Sequence, residues 1–167
     1  MLNYWVRYNE QFIRYFRDYL KTKNFSDRLI HKYISNVSFF GNYYLLTYIS
    51  DIKRDPQNAF GRVITLPKTR GIDIRNFLGD FLICNTPWQN IYFFKNYISV
   101  LRRFFFWLSR EKLYLQSEKE LEKIEYYLKH PQIFYNQLKR YKKIMKIENE
   151  NYKLELLDGW KTNLFKY

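Results

Sequence analysis

Basic side chains alternate with aromatic ones through the middle of this chain, and such a mixture can bind a polyanion. Residues 60–88 (FGRVITLPKTRGIDIRNFLGDFLICNTPW) show it first, and a basic pair follows at 102–103. Guanidinium groups bind phosphate through paired hydrogen bonds, and flat side chains stack on unpaired bases. We therefore predict an RNA contact formed by Arg62, Lys68, Arg70, Arg75, Trp88, Arg102 and Arg103.

The residue types that catalysis or metal binding would need are sparse. His31, His130 and Cys84 are the only histidines and the only cysteine, so no metal-binding motif can be recognised. Neither histidine lies near the Ser or Cys of a nucleophilic motif, and no glycine-rich phosphate loop is present. We expect no enzyme activity, no cofactor, no metal ion and no small-molecule substrate. Cys84 lies in an apolar run, which predicts a buried, unreactive thiol.

Charge and composition favour a polyanionic partner. The net charge is +13, and eleven of the twelve arginines lie in residues 1–110. Nucleic acids and anionic membrane surfaces attract such a chain. A single alanine accompanies 17 tyrosines and 15 phenylalanines, a bias typical of a very AT-rich genome such as that of an organelle. No apolar stretch approaches the roughly 18 residues of a membrane-spanning helix, so we expect no membrane span.

Hydrophobic periodicity predicts several amphipathic helices, over residues 9–22, 40–54, 88–100, 118–129 and 132–147. The pattern Ser117-x-x-Glu120 is a capping box that opens the fourth of them. Two stretches stay ambiguous. Residues 28–34 suit a strand or a helix that starts at Ser26, and residues 101–108 suit a strand or the end of a long helix.

Short β-rich runs predict strands. Residues 62–66 and 81–84 are apolar runs that stop at prolines, and Asp158-Gly159 suits the turn of a hairpin. The predicted fold is α+β, with a small antiparallel sheet and two packed helices. Residues 1–110 are predicted to form a basic RNA-binding core domain that includes an N-terminal helix, and residues 111–167 a mostly helical extension that ends in a β-hairpin. The alternative is an all-α bundle.

A series of short matches runs from residue 53 to 103. They are Lys53-Arg54 after a helix, Gly61 before a strand ending in Leu66-Pro67, Lys68 with Arg70 beyond it, Thr86-Pro87-Trp88, and the pair Arg102-Arg103. In these features residues 28–106 resemble the small-subunit ribosomal protein ten family. The resemblance implies ribosomal RNA and other ribosomal proteins as partners. With the AT-rich composition, it predicts a component of the mitochondrial ribosome in the matrix, encoded by the organelle.

Residues 11–115 also resemble the core-binding domain of tyrosine recombinases, which is all-helical. Ser26, Tyr33 and Phe40 would open one helix, IDIRNFL would form another, and NYISVLRRFFFWLSREKL resembles the last helix of that domain. This resemblance implies a DNA-binding module without the recombinase catalytic domain, and it makes residues 55–71 an insertion. A third interpretation is an accessory scaffold subunit of a mitochondrial respiratory complex. The β-rich runs favour the ribosomal interpretation, and the helical period over 91–108 favours the recombinase one.

Overall fold

The structure is a computed structural model that describes the backbone of residues 2–49, 63–86 and 90–164 and the side chains of 3–46, 63–86 and 90–157. Every regular element in these residues is helical. The long helices are α1 (Leu2–Thr22), α2 (Asp27–Ser38), α5 (Ile91–Arg110), α6 (Glu118–Lys129), α7 (Gln132–Ile144) and α8 (Glu150–Leu164). The short helices are α3 (Gly71–Asn76) and α4 (Leu82–Asn85). Wider π-helical turns extend α2 over Phe39–Ile49 and join α3 to α4 over Phe77–Phe81, and one 3-10 turn spans Leu66–Lys68.

The predicted α+β fold is wrong, because the described residues contain no strand. Residues 81–84 belong to the helical stretch from α3 to α4, in which Phe77, Leu78, Phe81 and Leu82 are buried at helical spacing. A four-residue apolar run cannot distinguish a strand from one turn of a buried helix. Residues 63–65 lack regular structure, and Arg62 lies outside the described residues. The helices agree instead with the all-α alternative.

The predicted C-terminal hairpin is also wrong, because α8 continues through Asp158-Gly159. The side chain of Asn149 explains this, since its Oδ1 accepts the amide of Tyr152 at 3.1 Å and caps the helix. Leu156 and Leu157 are half-buried and pack against the core. The helix is thus started by its cap and held by core packing before the chain reaches the Asp-Gly pair.

Most of the predicted helices are confirmed, with different ends. Helix α1 contains residues 9–22, α6 covers 118–129, and α7 covers most of 132–147. Residues 28–34 lie in α2, and residues 101–108 form the end of the long helix α5. The Oγ of Ser117 accepts the amide of Glu120 at 3.4 Å, as the capping box predicts. Residues 40–49 are helical, and the rest of the predicted 40–54 helix lies outside the described residues.

One core of buried apolar side chains extends from α1 to α7. It is rich in aromatic rings in edge contact, such as Phe16 with Phe104 at 5.1 Å and Phe40 with Phe77 at 4.9 Å between centroids. Helix α6 adds Ile124 to this core. The predicted boundary between residues 110 and 111 lies at the end of α5, and the division into two domains stays a prediction.

A buried asparagine joins three segments that are distant in the sequence. The Nδ2 of Asn9 donates to the carbonyl of Gly41 at 3.0 Å, and its Oδ1 accepts the amide of Leu66 at 2.9 Å. The side chain of Leu66 lies against Gly41 so closely that a Cβ there would come within 2.8 Å of it. Asn9 therefore provides hydrogen-bond partners for the buried carbonyl of Gly41 and the buried amide of Leu66. This arrangement positions the segment that leads into α3.

Candidate nucleic-acid interface

Helix α5 carries four basic residues, and both of its ends are defined by local bonds. The Oδ1 of Asn90 accepts the amides of Tyr92 at 3.0 Å and Phe93 at 3.3 Å. At the other end Lys112 adopts a left-handed conformation (φ 56°), and the amide of Leu113 donates to the carbonyl of Leu108 at 2.9 Å. The helix of 20 residues is about 30 Å long.

The exposed side of α5 alternates cations with aromatic rings. We name it the α5 stripe, and it consists of Tyr92, Lys95, Ser99, Arg102 and Phe106, all exposed and spaced three or four residues apart. Phe106 is 60% exposed and Tyr92 is 67% exposed, whereas Phe94 and Tyr97 on the opposite side are buried. The helix contains no carboxylate, so its positive charge is not neutralised from within.

A groove of about 860 Å³ lies beside this stripe, between α5 and the turn that joins α6 to α7. We name it the α5 groove. Its cations are Lys95, Arg102, Arg103 and Lys129, and its aromatic residues are Tyr19, Phe105, Phe106 and Tyr135. Glu125 is the one acidic residue of this lining, and it accepts a hydrogen bond from Lys129 at 2.7 Å. The other three cations, Lys95, Arg102 and Arg103, therefore have no acidic partner within the groove lining.

Arg102 and Arg103 are held differently although they are neighbours. The guanidinium of Arg103 lies over the rings of Phe25 at 4.6 Å and Tyr33 at 5.6 Å, so cation–π contacts with α2 and the turn before it fix its position. Arg102 is exposed. Within the described part of the chain neither arginine forms an ion pair with a carboxylate.

A cation of α2 also lies close to the α5 stripe. The Nζ of Lys32 donates to the Oδ1 of Asn96 at 2.7 Å, next to Lys95 in the sequence. The positive surface around α5 therefore extends onto the neighbouring helix. Such a surface can bind phosphates.

Arg70 has a structural role that the sequence did not predict. Its Nε and Nη2 donate to the two carboxylate oxygens of Asp73 at 3.2 and 3.1 Å, and its amide donates to Oδ2 at 2.8 Å. The side chain of Asp73 is 3% exposed. The hydrogen bond to Asp73 raises the pKa of Arg70. The amide of Gly71 donates to the Oε2 of Glu120 at 2.9 Å, so this corner ties α3 to α6.

The structure separates the predicted contacts into two places. Lys68 is exposed, and its carbonyl accepts from the side chain of Gln116, so Lys68 and Arg70 adjoin the start of α6. Arg102 and Arg103 lie in the α5 groove with Lys129, at the other end of that helix. Glu120 and Lys129 are nine residue steps apart on α6, which is about 14 Å along the helix axis. Arg75 is half-buried in α3, and Arg62 and Trp88 lie outside the described residues.

Among the groove residues that sequence reasoning missed are Lys95, Phe106 and Lys129. The spacing of Lys95 and Phe106 around Arg102 is the signal that could have found the first two, because it places all three on one side of a helix. Lys129 joins them only because α6 packs against α5, and no local pattern carries that information. Tyr97, on the other side of α5, is buried, and this burial raises its pKa to about 12.

Other kinds of site find little support in the residues that the structure describes. No group of three or more His, Cys, Asp or Glu side chains there could hold a metal ion. Cys84 is half-buried rather than fully buried, and its Sγ lies 3.4 Å from the Oδ1 of Asp80. None of the described helices is long and apolar enough to cross a membrane.

Comparison of the chain with protein-family models, with curated proteins and with solved structures found no significant match. The two resemblances drawn from the sequence therefore stay predictions, to be weighed on the helices and charges described above.

Proposed function

We propose that this chain is a helical DNA-binding module that contacts the phosphate backbone of duplex DNA through the α5 stripe and the α5 groove. One observation carries the proposal: a helix of 20 residues presents an exposed row of cations and aromatic rings and contains no carboxylate. The neighbouring α6 differs, because its Lys123 and Lys129 bind Glu120 and Glu125. Unneutralised cations on one side of a fold are the electrostatic signature of a nucleic-acid surface.

The positions of the helices support DNA over ribosomal RNA as the partner. The recombinase resemblance requires helices in three stretches, and these correspond to α2, to the run from α3 to α4, and to α5. Ser26 stands immediately before α2, and Tyr33 and Phe40 are buried in α2 and its π-helical extension. The ribosomal resemblance requires strands at 62–66 and 81–84, and residues 81–84 are helical.

The proposal assigns phosphate contacts to the cations of α5. Duplex DNA carries about one charge per 1.7 Å of axis, and each neutralised phosphate releases bound counterions. The observed binding constant then falls with salt, with a logarithmic slope of about 0.9 for each contact. Lys95 and Arg102 face solvent and would contact phosphates directly. Arg103, whose guanidinium lies over the ring of Phe25, adds positive charge to the same surface. Phe106 and Tyr92 offer apolar contact to sugars.

The test is a salt titration of DNA binding by fluorescence anisotropy, with a labelled duplex two helical turns long. The variant Lys95→Gln/Arg102→Gln should bind more weakly and reduce the salt slope by about 1.8, because two phosphate contacts are lost. The matched control is Lys112→Gln/Lys119→Gln, which removes the same charge from two exposed lysines at the start of α6 and before it. Equal losses in both variants would contradict a specific role of α5.

The other predicted functions remain outcomes of a second experiment. Sedimentation of the native protein with the small ribosomal subunit, lost after ribonuclease treatment, would replace the DNA proposal by the predicted ribosomal role in the mitochondrial matrix. Migration with a ribonuclease-resistant membrane complex would favour the respiratory scaffold. The DNA proposal expects neither, and it expects the protein to be recovered with DNA and released by deoxyribonuclease.

A further inference from the structure

Helix α7 has two clearly different sides. Its apolar residues Phe134, Tyr135, Leu138, Tyr141 and Ile144 are buried in the core. Its other side exposes Lys139, Arg140 and Lys143, which we name the α7 basic face. The helix contains no carboxylate, so these charges have no acidic neighbour within their own element.

The charges of the α7 basic face also lack acidic partners on the other described elements. Among the residues that the structure describes, no carboxylate forms an ion pair with Lys139, Arg140 or Lys143. The preceding helix shows the opposite arrangement, with Glu120 on Lys123 and Glu125 on Lys129. Like charges four residues apart on a helix repel each other and destabilise it. A bound polyanion would relieve the repulsion between Lys139 and Lys143.

The α7 basic face begins where the α5 groove ends. Tyr135 lines the groove, and Lys139 and Lys143 follow it along α7 by one and two turns. The rise of an α-helix places them about 6 and 12 Å beyond Tyr135. Each strand of duplex DNA carries one phosphate per about 3.4 Å of helix axis, so the roughly 6 Å between Lys139 and Lys143 corresponds to about two phosphate steps along the axis.

From this continuity we infer that the α7 basic face is a second phosphate-binding surface, occupied by the same DNA duplex that lies on α5. The inference rests on the proposed function and extends its site from one helix to two. The duplex contacts the α5 stripe first and its backbone continues along α7, so both surfaces bind one DNA molecule at the same time.

The alternative ligand of a basic helix is an anionic membrane, and the packing of α7 argues against it. An interfacial helix inserts an apolar side between lipid headgroups. The apolar side of α7 is already buried in the core, and only Ile133 at the helix start is an exposed large apolar residue within it. A surface that offers charge without an insertable apolar side is suited to a nucleic-acid backbone.

The test uses the full chain with Lys139→Gln/Arg140→Gln/Lys143→Gln, measured on the same labelled duplex over a range of salt concentrations. The loss of three phosphate contacts should reduce the salt slope by up to about 2.7 at unchanged one-to-one stoichiometry. The matched control, Lys23→Gln/Lys112→Gln/Lys119→Gln, removes three exposed charges elsewhere and should keep the slope of the unmodified protein. Circular dichroism checks that both variants keep their helices.

Each result of this experiment decides a different point. A smaller slope in the α7 variant, additive with that of Lys95→Gln/Arg102→Gln, supports one duplex on both surfaces. If the unmodified protein binds DNA and the α7 variant behaves like its control, the inference fails and the proposed function stands. Absence of DNA binding in the unmodified protein contradicts the proposed function itself. Loss of binding to vesicles with anionic lipids, with DNA binding unchanged, would overturn the inference in favour of a membrane.

Discussion

Arg70 and Arg102 are two arginines of the same predicted RNA contact, and the fold gives them opposite surroundings. The guanidinium of Arg70 is bound to both oxygens of Asp73, a carboxylate whose side chain is 3% exposed. Arg102 faces an open groove in which Glu125 is the one acidic residue, already bound to Lys129. The number of arginines in a sequence therefore says less about binding than the carboxylates that the fold places beside them.

The largest effect is expected at the corner that contains Arg70. Asp73→Ala should lower the free energy of unfolding by about 2–3 kcal/mol, because a buried carboxylate that accepts charged and backbone donors is removed. Urea unfolding followed by circular dichroism measures this change. The control is Asp27→Ala, an exposed acid in the first turn of α2 that makes no such contacts. A loss equal to that of the control would show that Arg70 is as free as Arg102.

A smaller effect is expected from Arg70 itself. Arg70→Gln should destabilise the protein by about 1 kcal/mol, because the half-exposed guanidinium loses two charge-assisted hydrogen bonds. Under conditions where the variant stays folded, the salt slope of DNA binding should not change. Arg102→Gln should do the reverse, with a slope lower by about 0.9 and little change in stability. A change of slope in both variants would remove the difference between the two sites.

The smallest effect is a dependence of stability on acid pH at Glu120. The hydrogen bond from Lys123, together with the amide of Gly71, lowers the pKa of Glu120. A carboxylate with a lowered folded pKa stabilises the fold above its unfolded pKa of about 4.3, and this contribution is lost as the pH falls through the folded value. When the pH is lowered from roughly 6 to 3, the free energy of unfolding should fall less in Glu120→Gln than in the unmodified protein. The difference between the two losses should be under about 1 kcal/mol.

The matched control for this pH dependence is Glu118→Gln, an exposed acid of the same helix turn. If its urea midpoints follow the same acid dependence as Glu120→Gln, the contact between α6 and Gly71 does not contribute to stability.

The helices with long amphipathic periods could be predicted from sequence, and short segments could not. The period of Phe12, Phe16 and Leu20 is sustained over more than two turns, and all three are buried in α1. The run 81–84 is too short to show a period, so the sequence alone could not distinguish a strand from a helix there. In the structure Phe81 stacks on Phe77, four residues earlier in the same helical stretch.

Only part of the candidate site could be predicted from the sequence. Arg102 and Arg103 were predicted because they follow an amphipathic helix. The role of Arg70 depends on Asp73, three residues later. Both residues are visible in the sequence, but they lie between the two strands that the sequence predicted, where no helix was expected. Lys129 reaches the groove through the packing of α6 on α5, which depends on tertiary structure.

Site-directed photo-crosslinking tests the central claim most directly. A photoreactive label is attached through a cysteine in place of Ser99 in the α5 stripe or of Lys68 near Arg70, both in a Cys84→Ser background with no other thiol. The account predicts crosslinks to duplex DNA from position 99 and few from position 68. Crosslinks from position 68 with none from position 99 would contradict it. That result would place the DNA contact at the segment that contains Lys68 and Arg70.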